Sequence, residues 1–229
     1  MFVRGFPAQA FDTNCWVVAP AAGEQCVVID PGIGVQEQLD ALLREHKLQP
    51  VAVLLTHGHL DHTFSVTPVC GARDVPAYIH PADRAMIADP GLGVSPQLVA
   101  MLGDLVFREP ADVREIGDGD VLDLGGVLLT VDHTPGHTQG SVVFRTTAET
   151  EQGATGVVLA GDTLFAGSVG RTDLPGGSHE QMLVSIRDKL LLLEDSTVVL
   201  PGHGPGTTIG RERAGNPFLA GLAPPRRGL

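Results

Sequence analysis

Apolar positions along this chain follow two spacings, close alternation and helical repeat, and each change of spacing marks an element boundary. Asn14 to Ala19 and Gln25 to Asp30 are short and rich in valine and isoleucine, and the second runs into Pro31-Gly32, which predicts two strands and a turn. From Val35 to His46 the spacing lengthens, with Leu39, Leu42 and Leu43 on one side of a predicted amphipathic helix. Val51 to Leu55 is unbroken apolar sequence, the pattern of a strand covered on both faces. Asp83 to Arg108 is helical in character but interrupted by Pro90-Gly91 and Pro96, predicting a short helix, a loop and a second helix from Pro96 to about Phe107. Strands are predicted next at Val121 to Leu124, Val127 to Val131, Ser141 to Arg145, Val157 to Leu159 and Thr197 to Leu200. Before the last of these, Ser178-His179-Glu180-Gln181 matches a capping box, opening a helix with Met182, Ile186, Leu190 and Leu193 at helical spacing. Two strand-rich halves, each followed by helical sequence, predict an α/β protein of two packed sheets with helices outside. One domain is expected over residues 1–215, with a Gly-, Pro- and Arg-rich tail at 216–229 that frays.

Composition narrows the class. With 229 residues, 43% of them hydrophobic, the chain can build one sizeable core. It has no run of roughly 18 to 20 apolar residues to span a membrane, and no basic-then-apolar leader. Its three scattered cysteines, Cys15, Cys26 and Cys70, suit a reducing cytoplasm rather than a disulfide frame. A formal charge of −12 disfavours nucleic acid as a partner and leaves a small-molecule substrate as the expectation.

The chemistry concentrates after the buried strand, in Thr56-His57-Gly58-His59-Leu60-Asp61-His62. Imidazole nitrogens and a carboxylate packed this densely are first-row metal ligands. Three more ligand-type residues follow predicted strands in tight glycine-containing wrapping: His137 in Thr134-Pro135-Gly136-His137-Thr138, Asp162 in Ala160-Gly161-Asp162-Thr163, and His203 in Pro201-Gly202-His203-Gly204. Seven such residues suit two divalent ions better than one, because a single zinc needs only three protein ligands and a water. Two ions sharing Asp162 would sit roughly 3.5 to 4 Å apart and hold a bridging hydroxide as nucleophile. Asp61 and Asp162 are then the catalytic carboxylates, and no serine or cysteine nucleophile is required. Zinc is the expected metal; iron and manganese suit the same donors.

Together with Asp30-Pro31-Gly32, Gly161-Asp162-Thr163-Leu164-Phe165 and Gly170-Arg171-Thr172-Asp173, these motifs resemble the metallo-β-lactamase superfamily, and within it the short single-domain glyoxalase II-like hydrolases. The resemblance implies a four-layered αββα sandwich. It assigns His57, His59 and His137 to one metal and Asp61, His62 and His203 to the other, with Asp162 between them. Asp30 corresponds to a buried aspartate that steadies the HxHxDH loop. The activity implied is hydrolysis of an acyl-thioester such as S-lactoylglutathione. Longer members continue into a helical domain that holds glutathione and carry a tyrosine after the last histidine. Here only 26 residues follow His203 and Gly204-Pro205 comes next, so the identity of the thiol stays open.

Other residues carry two readings each. His133 is expected to be a hydrogen-bonded support rather than a ligand. Arg171 either grips a substrate carboxylate or pairs with Asp173. Residues Asp89 to Pro110 either cover the metal edge or form a surface hairpin. His46, His80 and His179 are expected to face solvent without partners. The rival function is a persulfide dioxygenase with one iron on His57, His137 and Asp162; a lactonase or β-lactamase stands behind it, and a non-catalytic metal-binding module last.

Overall fold

The computed structural model describes residues 1–103, 105–150 and 153–222. The first half begins with β1 (Phe2–Pro7), β2 (Asn14–Ala19) and β3 (Gln25–Ile29), then α1 (Gln36–His46) and β4 (Gln49–Leu54). The short helices α2 (Leu60–Thr63) and α3 (Val66–Gly71) lead to β5 (Ala77–Ile79), α4 (Pro81–Ala88), α5 (Pro96–Leu102) and β6 (Val113–Glu115). These strands form one six-stranded sheet in sequential order, antiparallel from β1 to β3 and parallel from β3 to β6. The second half holds β7 (Val121–Leu124), β8 (Val127–His133), β9 (Val142–Thr150) and β10 (Gly153–Gly161). A small ribbon of β11 (Leu164–Phe165) and β12 (Ser168–Val169) precedes α6 (His179–Ser185), β13 (Val198–Pro201), β14 (Thr207–Thr208) and α7 (Ile209–Gly215). The second sheet runs β14-β13-β10-β9-β8-β7.

Alternation of side chains along the strands explains the layering. Val18, Val27, Ile29 and Leu54 of the first sheet pack against Leu129, Val131, Phe144 and Leu159 of the second. Their neighbours Val17, Val28 and Val53 point the other way and are covered by Leu39 and Leu43 of α1 and Val69 of α3. On the far side Val143, Val158 and Val199 are covered by Met182 of α6, Ile186, Leu190 and Ile209 of α7. The result is helix, sheet, sheet, helix, the expected αββα sandwich. Phe144 lies at the sheet interface with no exposed surface. Phe144→Ala is expected to lower stability by about 3–5 kcal/mol, read by urea unfolding of the metal-free protein; a loss below about 1 kcal/mol would mean the sheets do not rely on this contact.

Several predicted boundaries differ. The helix expected to reach Phe107 ends at Leu102, where Gly103 adopts φ +56. At Ser178 only half of the capping box forms: its hydroxyl accepts from Gln181 N at 3.4 Å, but Gln181 Oε1 accepts instead from Gln139 Nε2 at 2.9 Å. The helix continues past Ser185 as a π-helical turn, Ile186–Leu190. Of the expected tail, Pro217–Leu219 forms a 3-10 turn with Leu219 buried, while residues 223–229 lie outside the described residues. No helix among the described residues is long and apolar enough to cross a membrane.

Candidate metal centre

Four strand ends meet at one edge of the sandwich. The His57–His62 loop follows β4, His137 follows β8, Asp162 follows β10 and His203 follows β13. Backbone hydrogen bonds lock these loops together across the sheets: Val142 N to Thr56 O at 2.8 Å, Gly202 N to Gly161 O at 2.8 Å, and Asn14 N to Gly202 O at 2.7 Å. Glycine is required here for two distinct reasons. Gly161 turns the chain at φ +46, whereas a Cβ on Gly202 would run into Asp162 Oδ1 and, at 2.7 Å, His62 Cε1.

All seven residues singled out in the sequence converge. His57, His59 and His137 form one group whose donor atoms lie within 4.8 Å of one another, and Asp61, His62 and His203 form a second. His137 Nε2 is 2.8 Å from His59 Nδ1 and 3.2 Å from His57 Nε2. In the second group Asp61 Oδ2 is 3.5 Å from His62 Nε2 and 3.2 Å from His203 Nε2. Asp162 lies between the groups: Oδ1 is 3.3 Å from His62 Nε2, and Oδ2 is 3.6 Å from both His137 Nε2 and His203 Nε2.

The leftover polar atoms show that this donor set fits divalent ions. His62 Nε2 and Asp162 Oδ1 are buried without a hydrogen-bond partner, their 3.3 Å approach being misaligned for one, and such atoms are costly unless something occupies the space they face. Imidazole nitrogens facing each other at 2.8 and 3.2 Å repel unless a proton or cation lies between them. Neighbouring ligands of a tetrahedral zinc, at about 2.0–2.1 Å from the metal, would be roughly 3.3 Å apart.

Surrounding groups prepare the ligands. Asp30, at φ +51, accepts from Thr56 N at 2.8 Å and Thr56 Oγ1 at 2.6 Å, and its Oδ2 lies 3.0 Å from His62 Nδ1. That contact places the His62 proton on Nδ1 and turns Nε2 toward the centre. His137 Nδ1 donates in the same way to the carbonyl of Arg171 at 2.7 Å. Burial, then the neighbouring imidazoles, hold His57 well below its ordinary value and push His59 down to about 3. Both are thus neutral, the form that binds metal. Burial works against charge on His62 too, but Asp162, Asp61 and Asp30 together overturn it and hold this imidazole above its usual range. Asp61 stays below the usual carboxylate range against its burial, through His62, His203 and a 3.0 Å hydrogen bond from Thr13 Oγ1.

Sequence reasoning missed two supports. Thr13 reaches Asp61 from the far end of the chain, and Asp83, in the first turn of α4, ties the two halves of the histidine group together. Asp83 is fully buried and accepts from Gly58 N at 2.9 Å, Gly140 N at 2.7 Å and Thr138 Oγ1 at 2.6 Å. The histidines expected to lack partners also need correction. His80 is half-buried, caps α4 through Ala82 N and stacks on His133 with centroids 4.2 Å apart, while His46 packs on Phe2 at 4.8 Å. His179 is exposed. His133 Nε2 lies 2.9 Å from Gln139 O and so spans the turn that carries His137, without touching a ligand.

The centre opens into a cavity of about 290 Å³. His59, Asp61, His137, Asp162 and His203 form its polar wall. Val94, Ser95 and Leu98 line it as well, so this part of the 89–110 segment lies over the metal edge, while Leu105 to Arg108 line a separate cavity beside Phe64 and Thr67. A Cβ on Gly93 would lie 2.8 Å from His59 Cδ2, which shows how closely that segment packs on the ligands.

Residues 8–203 match the metallo-beta-lactamase superfamily. The chain belongs to this superfamily. Among superfamily relatives, an uncharacterized protein of Mycobacterium tuberculosis is 51% identical over 97% of this chain and 100% of its own length. Hydroxyacylglutathione hydrolase GloC of Haemophilus influenzae is 34% identical, covering 96% of this chain and 98% of GloC. Of solved superfamily structures, BLEG-1 B3 metallo-beta-lactamase superposes with a TM-score of 0.83 at 37% identity, covering 96% of this chain and all of that one. TTHA1623 in a di-iron-bound form gives 0.76 at 39% identity, covering 94% and 100%.

Proposed function

We propose that this superfamily member is a dinuclear metal-dependent hydrolase of small acyl-thioesters. His57, His59 and His137 would hold one ion, Asp61, His62 and His203 the other, and Asp162 would bridge them. Two divalent ions there would supply Lewis acidity toward the substrate carbonyl and acidify a trapped water toward a pKa of about 7. The rest falls to the chain. Asp30 and the Arg171 carbonyl fix the imidazole orientations, and the apolar wall orients the acyl group and excludes bulk water.

One observation carries the choice of thioester. Among the described residues lining the cavity, every aspartate and histidine is one of the seven expected ligands. None of these lining carboxyls and imidazoles would then remain free to protonate a leaving group. A thiol, with an ordinary pKa of about 8.5, departs as the anion without such help, whereas an alkoxide or amine leaving group needs a general acid. The likeness to GloC supports the same reading. The second donor group, Asp61, His62 and His203, favours two metals over a one-iron dioxygenase site.

The test counts metal per chain and follows a panel of small thioesters with and without oxygen. Two equivalents of metal and equal rates in both atmospheres are expected. One equivalent of iron with oxygen-dependent turnover would establish the dioxygenase reading instead. Because BLEG-1 is a B3 metallo-beta-lactamase, the panel includes a β-lactam; turnover of it well above that of every thioester would overturn the substrate assignment.

A further inference from the structure

We infer that the site selects thioesters whose thiol half carries no net negative charge, so that neutral thiol conjugates are better substrates than those bearing free carboxylates, glutathione included. This rests on the thioester reading and concerns the part of the substrate that extends away from the metal centre. The apolar lining of the cavity is Phe11, Leu60, Val94, Leu98 and Leu174. Among the described lining residues Arg171 is the one lysine or arginine. Its guanidinium is already engaged: Nε reaches Asp173 Oδ1 at 2.7 Å and Nη2 reaches Asp173 Oδ2 at 2.7 Å. Asp173 thus takes the side-on Nε–Nη2 edge, one of the two edges with which a guanidinium grips a carboxylate, and neutralises the charge of Arg171. An anion entering the cavity therefore meets a neutralised pair, and it approaches a chain with a formal charge of −12. A carboxylate on the thiol half, held away from the metal centre, loses hydration there with no unpaired lysine or arginine among the described lining residues to replace it.

Phe11 indicates what the mouth accepts instead. A bulky residue at φ +64 is unusual, and its neighbour Asp12 is at φ +54. The turn is closed by Ala8 N donating to Thr13 O at 2.8 Å. It presents the Phe11 ring at the cavity while leaving the residue 58% exposed. An uncharged substrate body laid against Phe11, Leu98 and Leu174 would remove that apolar surface from water, which favours binding.

The metal-loaded full chain is assayed with D-lactoyl thioesters of N-acetylcysteine and of its carboxamide, two thiols of nearly equal size that differ in one negative charge, and with S-D-lactoylglutathione. The carboxamide is expected to exceed both anionic thioesters at least tenfold in kcat/KM, with the difference in KM. Raising the salt concentration should lower KM for the acid and leave that of the carboxamide unchanged, because screening weakens only the repulsion. Asp173→Asn frees the Arg171 fork and should shrink the carboxamide-to-acid ratio about threefold or more. Within one variant the ratio cancels general damage to folding or metal loading. An acid or glutathione thioester hydrolysed as well as the carboxamide, or a ratio unmoved by Asp173→Asn, would overturn the inference. Turnover of the glutathione thioester alone would do so while leaving the hydrolase reading intact, and hydrolysis of none of the three would remove both.

Discussion

Asp162→Ala will lose at least one of two metal equivalents and about a thousandfold in kcat/KM, a transition-state loss of about 4 kcal/mol. Among the described residues Asp162 is the one whose two oxygens face both donor groups, Oδ1 toward His62 and Oδ2 toward His137 and His203. Without it, the histidine group and the Asp61 group no longer share an anion, and two dications held close together repel each other strongly in a poorly hydrated site. The better-provided group should keep its ion and the other should empty. Asp162→Asn separates charge from shape: it preserves an oxygen at the same place but removes the negative charge, and should retain one ion with a smaller loss of rate. Metal content by elemental analysis after exhaustive dialysis, beside unfolding midpoints of the metal-free proteins, distinguishes this from misfolding. A folded Asp162→Ala protein with two ions and near-normal turnover would show that Asp162 does not bridge.

The seven residues that converge at the sheet edge were readable as candidates because each is local to a strong signal. A buried strand ends, a glycine-containing turn follows, and a histidine or aspartate is presented; Val51 to Leu55 followed by His57, and Val157 to Leu159 followed by Asp162, show the rule clearly. The strands that escaped notice lack such signals. Ala77–Ile79 and Val113–Glu115 have only three residues each, and their extended form comes from parallel pairing with β4 and with each other. Phe2–Pro7 contains Gly5 and Pro7, which lower strand propensity, yet it is an edge strand where both are tolerated, and the open side of Gly5 is filled by the Trp16 ring. Thr13 and Asp83 were illegible for a different reason. A threonine before a strand and an aspartate in the first turn of a helix both have ordinary local explanations, and only the folded chain shows Thr13 on Asp61 and Asp83 between the loops of His59 and His137.

That position gives Asp83 the second large expected effect. Asp83→Ala should destabilise the metal-free protein by about 2 kcal/mol or more, since it strands the buried backbone donors of Gly58 and Gly140, each costing on the order of 1–3 kcal/mol when unsatisfied, and leaves the Thr138 hydroxyl with Ser141 Oγ alone. It should also weaken metal binding by about 10- to 100-fold, the usual consequence of removing a partner that orients ligands. The two effects have one origin. Gly58 lies between His57 and His59, and Thr138 follows His137, so a single carboxylate sets the separation of all three imidazoles. Ser141 Oγ lies 2.7 Å from Thr138 Oγ1 and can take over that hydroxyl, but the Gly140 loop packs directly on Asp83: a Cβ on Gly140 would sit 2.8 Å from Asp83 Cβ. Asp83→Asn retains one acceptor but turns an N–H₂ toward backbone donors, and should fall between wild type and alanine in both stability and affinity. Chelator competition measures affinity, and urea unfolding without metal measures the fold. If Asp83→Ala lowered stability but left metal affinity unchanged, the histidine group would owe its geometry to the strand ends alone, and Asp83 would be only a structural anchor.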